Sequence, residues 1–327
     1  MVPKSTNERK TVKKKKLPVW GVIAVFCVMF VVAFVVSRVL WMFDNNVEVT
    51  GDIDESGCPT IDASVIESGE CTGTGTVSVK KVDFQPVVDE WVNAVGGQKG
   101  IIIYDLNIDE VVGEYNPDNR MRIESIYKLF VVYEGYRRVQ SGEWNGEDRC
   151  GNTGWTILGC LDKAIRESSS TAAEALHGMI GYATLNDVVH NEFEIPNVTV
   201  ESISATPREV MQMMKIFYDH TEITDQELIA QIKDSFLNQP PSAGLCSGPC
   251  DWRRGLPSGF SDRVNVYNKV GWLSGGSSWV YYDDAAIVDF IEADRKYIVV
   301  VLTSGGVTNK QIANFGTKLE EYFFSTY

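Results

Sequence analysis

Two residues in the middle of the chain have the types and spacing for covalent chemistry. Ser125 and Lys128 stand three apart in Arg122-Ile-Glu-Ser-Ile-Tyr-Lys-Leu-Phe-Val-Val-Tyr133, where an apolar run begins. On a helix, residues i and i+3 share a face, so the lysine amine lies beside the serine hydroxyl. A serine hydroxyl is a weak nucleophile until a neighbouring base takes its proton. A lysine can be that base once burial or another cation lowers its pKa. A helix N-terminus adds a positive field and backbone N–H groups suited to a developing oxyanion. The simpler reading of such a pair is a helix-capping serine beside a solvated lysine, and only its setting decides between the two.

The elements around the pair can be read from pattern. Gly100–Asn107 and Val111–Tyr115 form a hairpin-like segment ahead of it, and the apolar helix that follows closes at Gln140-Ser-Gly142. Pro86–Val95 has the pattern of a first amphipathic helix. Capping boxes open three later helices: Thr206–Glu209 to about Tyr218, Thr224–Glu227 to about Leu237, and Thr308–Gln311 to about Phe324. Between the last two lie three runs rich in β-branched and aromatic residues, Val264–Trp272, Ala285–Ile291 and Tyr297–Thr303. Two strands and a helix, an all-helical middle, then three strands and a helix predict an α/β sandwich of the α+β kind. Its sheet is five-stranded and antiparallel, and the two ends of the domain meet in it.

The amino-terminal part has a different character. Lys13–Lys16 precedes Leu17–Ser37, twenty-one residues without a charge, bracketed by Trp20 and Trp41. That length crosses a hydrocarbon core of about 30 Å as a helix. The apolar run is longer than that of a cleaved signal peptide, and no small-x-small cleavage site follows. The expectation is a cytoplasmic basic tail over residues 1–16 and an uncleaved transmembrane signal anchor over 17–43. A Gly-, Thr- and Ser-rich extracytoplasmic stalk follows over 44–81, then a globular domain over 82–327. One cysteine, Cys27, lies in the apolar run. Six lie beyond it: Cys58, Cys71, Cys150, Cys160, Cys246 and Cys250. An even number outside a membrane points to disulfides, for which sequence permits fifteen pairings. The sequential one, Cys58–Cys71, Cys150–Cys160 and Cys246–Cys250, closes three short loops and is preferred. No C-x-x-C or His/Cys cluster supports a metal site, and His177, His190 and His220 are remote in sequence from the cysteines.

Seven of the 30 Lys and Arg lie in the first twenty residues, so the rest of the chain is more acidic than the net charge of −14 shows. An acidic body repels phosphates, which argues against nucleic-acid partners. There is no G-x-S-x-G, P-loop or G-x-G-x-x-G signature, and no cofactor is implied.

Three stretches together resemble the S-x-x-K superfamily of class A β-lactamases and penicillin-binding proteins. Ser125-x-x-Lys128 is the first. Ala164–Leu176 resembles the segment that in the family ends S-D-N-T-A-A, with Ser168-Ser169-Ser170 in place of S-D-N. Val266–Trp272 resembles the K-T-G strand, with Lys269, Val270 and Gly271. The resemblance spans about Val82–Tyr327 and implies a membrane-anchored serine hydrolase. It makes Ser125 the acylated nucleophile and Lys128 the acceptor of its proton. Ser168 becomes the relay to the departing nitrogen, and Lys269 the charge that holds Ser168 and an anionic substrate. It implies substrate contacts at Ser170, Val270, Gly271 and Trp272, with an oxyanion hole from the N–H groups of Ser125 and Trp272. Implied substrates are β-lactams or the peptide amides of cell-wall stem peptides.

Three departures bear on this. Val270 lacks the hydroxyl that binds a substrate carboxylate, and Ser170 is shorter than the usual asparagine. Between Gly181 and Pro207 no E-x-x-L-N loop supplies the glutamate that activates the deacylating water, so slow deacylation is expected. Glu192, Glu194 and Glu201 are carboxylates without that setting. Two rival readings stand beside the hydrolase: a D,D-peptidase-like penicillin-binding protein, and a catalytically silent cell-wall-binding scaffold of the same fold.

Overall fold

The computed structural model describes residues 80–220, 222–237, 255–275 and 278–327. The expected membrane anchor and stalk lie outside these, apart from residues 80–81, as do Cys58, Cys71, Cys246 and Cys250. Among the described residues no helix is long and apolar enough to cross a membrane.

The elements in order are α1 (Gln85–Ala94), β1 (Gln98–Asp105), β2 (Glu110–Tyr115), β3 (Met121–Arg122) and a 3₁₀ turn (Glu124–Tyr127). Then come α2 (Lys128–Gln140), α3 (Ile157–Arg166), α4 (Ser170–Ile180), α5 (Tyr182–Asn191), β4 (Ser204–Ala205), α6 (Pro207–Asp219) and α7 (Gln226–Leu237). The chain ends with β5 (Val264–Gly275), β6 (Ser278–Phe290), β7 (Arg295–Ser304) and α8 (Asn309–Thr326). Five strands form the expected antiparallel sheet in the order β2-β1-β7-β6-β5. β1 pairs with β7 from Gln98↔Ser304 to Asp105↔Tyr297, which joins the two ends of the domain.

Strand alternation divides the core in two. Ile102, Ala285, Ile298, Val300 and Leu302 face α2 and the helical half. Ile101, Ile103, Val266, Val270, Val288, Val299 and Val301 face α1 and α8, where Trp91, Phe315 and Phe323 cover them. Leu129–Tyr133 of α2 is wholly buried. Each large side chain there contributes roughly 1.5–3 kcal/mol, which fixes the helix that begins at Lys128.

Boundary differences have local causes. The capping boxes at Thr206/Glu209 and Thr308/Gln311 form as expected. For α7 the cap acceptor is Asp225, not Thr224. Its Oδ1 takes the N–H groups of Glu227 and Leu228, while the Thr224 and Asp225 N–H groups go to Gln140 Oε1. β6 starts at Ser278, earlier than the expected Ala285, because the stretch ahead of Ala285 also pairs with β5. The middle of the chain is not purely helical, since Met121↔Ala205 and Arg122↔Ser204 form a two-residue ladder. That ladder ties the approach to Ser125 to the loop ahead of α6. Cys150 and Cys160 are joined by a disulfide, one of the three expected.

Candidate active site

Ser125 does not stand on the α-helix itself. Ile123 is held by its N–H on the Ile203 carbonyl (3.0 Å), and Glu124 then turns through a left-handed backbone conformation, φ 38°. Ser125 follows in the 3₁₀ turn, and α2 starts at Lys128. A 3₁₀ turn has three residues per turn, so i and i+3 eclipse more closely than on an α-helix. Lys128 Nζ accordingly lies 3.1 Å from Ser125 Oγ. Ser125 is half-buried, and Lys128 is fully buried.

The serine triplet divides its labour. Ser169 caps α4, its side chain accepting the Ala172 N–H at 3.2 Å. Ser168 sits ahead of it in a left-handed conformation, φ 51°. This turn brings the Ser168 carbonyl to 2.5 Å from Lys128 Nζ, and the hydroxyls of Ser168 and Ser170 each to 3.4 Å. Buried Lys269, on edge strand β5, donates to Ser168 Oγ at 2.9 Å and to the Val270 carbonyl at 2.5 Å. The result is a chain Ser125 Oγ–Lys128 Nζ–Ser168 Oγ–Lys269 Nζ. It joins residues 144 positions apart and can carry a proton away from Ser125.

Burial lowers the Lys128 pKa to about 8, against the opposing pull of the Glu174 carboxylate. The amine is thereby brought near the range where it can act as a base. Behind β5, burial raises Asp284 to about 7, opposed by hydrogen bonds from Asn268 Nδ2 (2.9 Å) and the Leu256 N–H (2.8 Å) and by the Lys269 charge. Burial also raises Asp283 well above the carboxylate range; its Oδ1 accepts the Thr303 N–H at 2.7 Å.

Gly271 is pressed against the 3₁₀ turn that carries Ser125. A Cβ there would lie 2.5 Å from the Ile123 carbonyl oxygen and 3.2 Å from the Ser125 nitrogen. Val270 is placed differently from the role implied for its side chain. Strand alternation turns it away from Lys269 into the α1/α8 core, where it is buried. At this position the backbone carbonyl serves the site, through Lys269. Trp272 is half-buried and packs on the same core. Ser170 is exposed, within reach of Lys128.

The loop carboxylates do not join this chain. Glu192 is ion-paired with Arg137, nine residues beyond Lys128 on α2 and so roughly 13 Å down the helix. Glu201 accepts from Asn186 Nδ2 at 2.7 Å. Glu194 is exposed in a left-handed turn. The carboxylate that acts on Lys128 is Glu174 of α4, which sequence reasoning passed over.

Residues 83–323 match the model of the beta-lactamase enzyme family. No curated protein matches the chain. Among solved structures, a reconstructed ancestral class A beta-lactamase superposes with a TM-score of 0.61 at 17% identity, covering 73% of this chain and 99% of that one. A class A beta-lactamase representative from Bacteroides cellulosilyticus gives 0.61 at 14%, covering 75% and 100%. PBP-A gives 0.62 at 14%, covering 73% and 96%. At these identities the likeness is one of fold.

Proposed function

The chain belongs to the beta-lactamase enzyme family, and on that premise we propose that it is an extracytoplasmic serine hydrolase working through an acyl-enzyme. Its substrates are β-lactams or the related amides of cell-wall peptides. The observation that carries this reading is Lys128 Nζ, buried between Ser125 Oγ and the hydroxyl of Ser168. Neutral Lys128 takes the Ser125 proton as Oγ attacks the substrate carbonyl. The N–H groups of Ser125 and Trp272 receive the developing oxyanion, each such donor being worth about 3 kcal/mol. The proton passes from Lys128 through Ser168 Oγ to the departing nitrogen. Lys269 holds Ser168 in place and adds positive charge. In the absence of a loop glutamate in the family's position, deacylation is slower than acylation, as in a penicillin-binding protein. Lys13–Lys16 and the uncharged Leu17–Ser37 support anchoring with the domain outside the membrane.

The test uses a membrane-impermeant fluorescent penicillin on intact cells. Labelling of the full-length chain is expected, lost on Ser125→Ala and removed by protease added outside. An unlabelled wild-type chain would favour the silent scaffold, the reading to which the missing loop glutamate points. Labelling that persists in Ser125→Ala would place the nucleophile elsewhere.

A further inference from the structure

An acyl-enzyme ester is cleared only by a water that loses a proton as it attacks, and the site must supply the base. Glu192 and Glu201 are committed to Arg137 and Asn186. Glu124 adjoins Ser125 but is ion-paired with Arg122 and packs on the Gly271 side. Asp283 and Asp284 are sealed in the sheet. Glu174 is differently placed. It stands one helical turn after Ser170 on α4, and i and i+4 side chains lie on one face with Cβ atoms about 5–6 Å apart. Ser170 Oγ is 3.4 Å from Lys128 Nζ, so Glu174 flanks the same amine. Its charge acts on both Lys128 and Tyr127, the residues that bound the nucleophile turn. It is solvent-exposed, which lets a water reach it. The other titratable groups nearby are Tyr182, coupled to Tyr127, and His177, one turn further along α4.

We propose that Glu174, from the α4 face beside Lys128, is the general base of deacylation, in place of a glutamate on the loop ahead of α6. This rests on the hydrolase reading and deepens it. The Glu174 carboxylate takes one proton from water as the water oxygen bonds to the acyl carbon. Collapse breaks the bond from that carbon to Ser125 Oγ. The proton that Glu174 took from the water passes through the Lys128 amine, neutral since acylation, to that oxygen, and the product leaves as the acid. Placement on an exposed helix face makes this a slow step but not an absent one.

The experiment follows the penicilloyl adduct on the full-length chain by intact mass, for wild type, Glu174→Gln and Glu174→Asp. All three are expected to acylate to one adduct per chain. The wild-type adduct clears over minutes. Glu174→Gln lengthens its lifetime about 100-fold, and Glu174→Asp restores part of the clearance. An adduct lifetime unchanged in Glu174→Gln would overturn the proposal and leave the hydrolase reading standing. Absence of any adduct in the wild type would overturn both.

Discussion

In the proposed mechanism Lys128 serves as acceptor and donor in turn, and its surroundings set the pH at which it does so. As an ammonium it has three protons, and the structure offers acceptors at Ser125 Oγ, the Ser168 carbonyl and the Ser170 hydroxyl. Burial disfavours that charged form and lowers the pKa to about 8. The base is the neutral amine, so the acylation rate constant should rise with pH, with a midpoint near 8, and level off above it. Lys128→Arg cannot deprotonate. It should lose this limb and slow acylation by about 10²–10⁴; stopped-flow quenching of a fluorescent penicillin across pH measures both. A pH-independent wild-type rate from 6 to 9 would remove Lys128 from the role of base. The pair itself was legible in the sequence, because a spacing of three brings i and i+3 together on any helix. Glu174 was not, because its proximity to Lys128 depends on how α4 packs against the nucleophile turn.

The elements hold the site by close approach of backbone to backbone. Edge strand β5 lies so near the 3₁₀ turn that only a hydrogen fits at Gly271, where an added Cβ meets the Ile123 carbonyl at 2.5 Å. The obstructing atom is backbone, so no rotamer change relieves the clash. Gly271→Ala should move strand and turn apart by roughly half an ångström or more and lower acylation on the order of 10²-fold, since small misplacements are costly at a reacting centre. Far-UV circular dichroism should be unchanged. Acylation at the wild-type rate in Gly271→Ala would show that β5 does not form the wall of the reacting site. Strands, helices and two capping boxes were readable from period and cap residues. The 3₁₀ turn was not, because its sequence also suits the first turn of α2. The side to which Val270 points was lost for another reason: the motif aligns residues, whereas strand alternation decides faces. That alternation puts Lys269 and Gly271 on the Ser125 side and Val270 in the opposite core.

At the scale of the whole domain, the joining of its two ends in the sheet was legible, and so was the Cys150–Cys160 link. The link closes a loop worth about 3 kcal/mol in the chain-entropy model. What sequence did not show is that two adjacent acids of β6 are wholly buried, because aspartates in a strand ordinarily read as solvent-facing. Asp283 lies across from Gly271, and Asp284 across from Val270. Burial raises both above the unfolded value of about 3.9, Asp284 to about 7 and Asp283 well beyond the carboxylate range. The native state therefore binds more protons than the unfolded chain, and stability falls as pH rises through the interval between the two values. His220, lowered to about 4 by burial, and His177, also lowered by burial, work in the opposite sense, chiefly below about pH 6.5, the unfolded histidine value. Lys128 begins to add stability only above about 8. The window from about pH 6.5 to 8 thus isolates the aspartates. In it the melting temperature should fall with pH, both aspartates contributing to the slope. Asp283→Asn keeps a carbonyl oxygen for the Thr303 N–H and cannot ionise, so it should flatten the slope while leaving stability near pH 5 little changed. Asp284→Asn should flatten it too, chiefly below pH 7, because that carboxyl titrates within the window. Differential scanning calorimetry at pH 6.5, 7.2 and 8 gives the slopes. A slope equally steep in Asp283→Asn would mean that this carboxyl reaches water and ionises in the folded state.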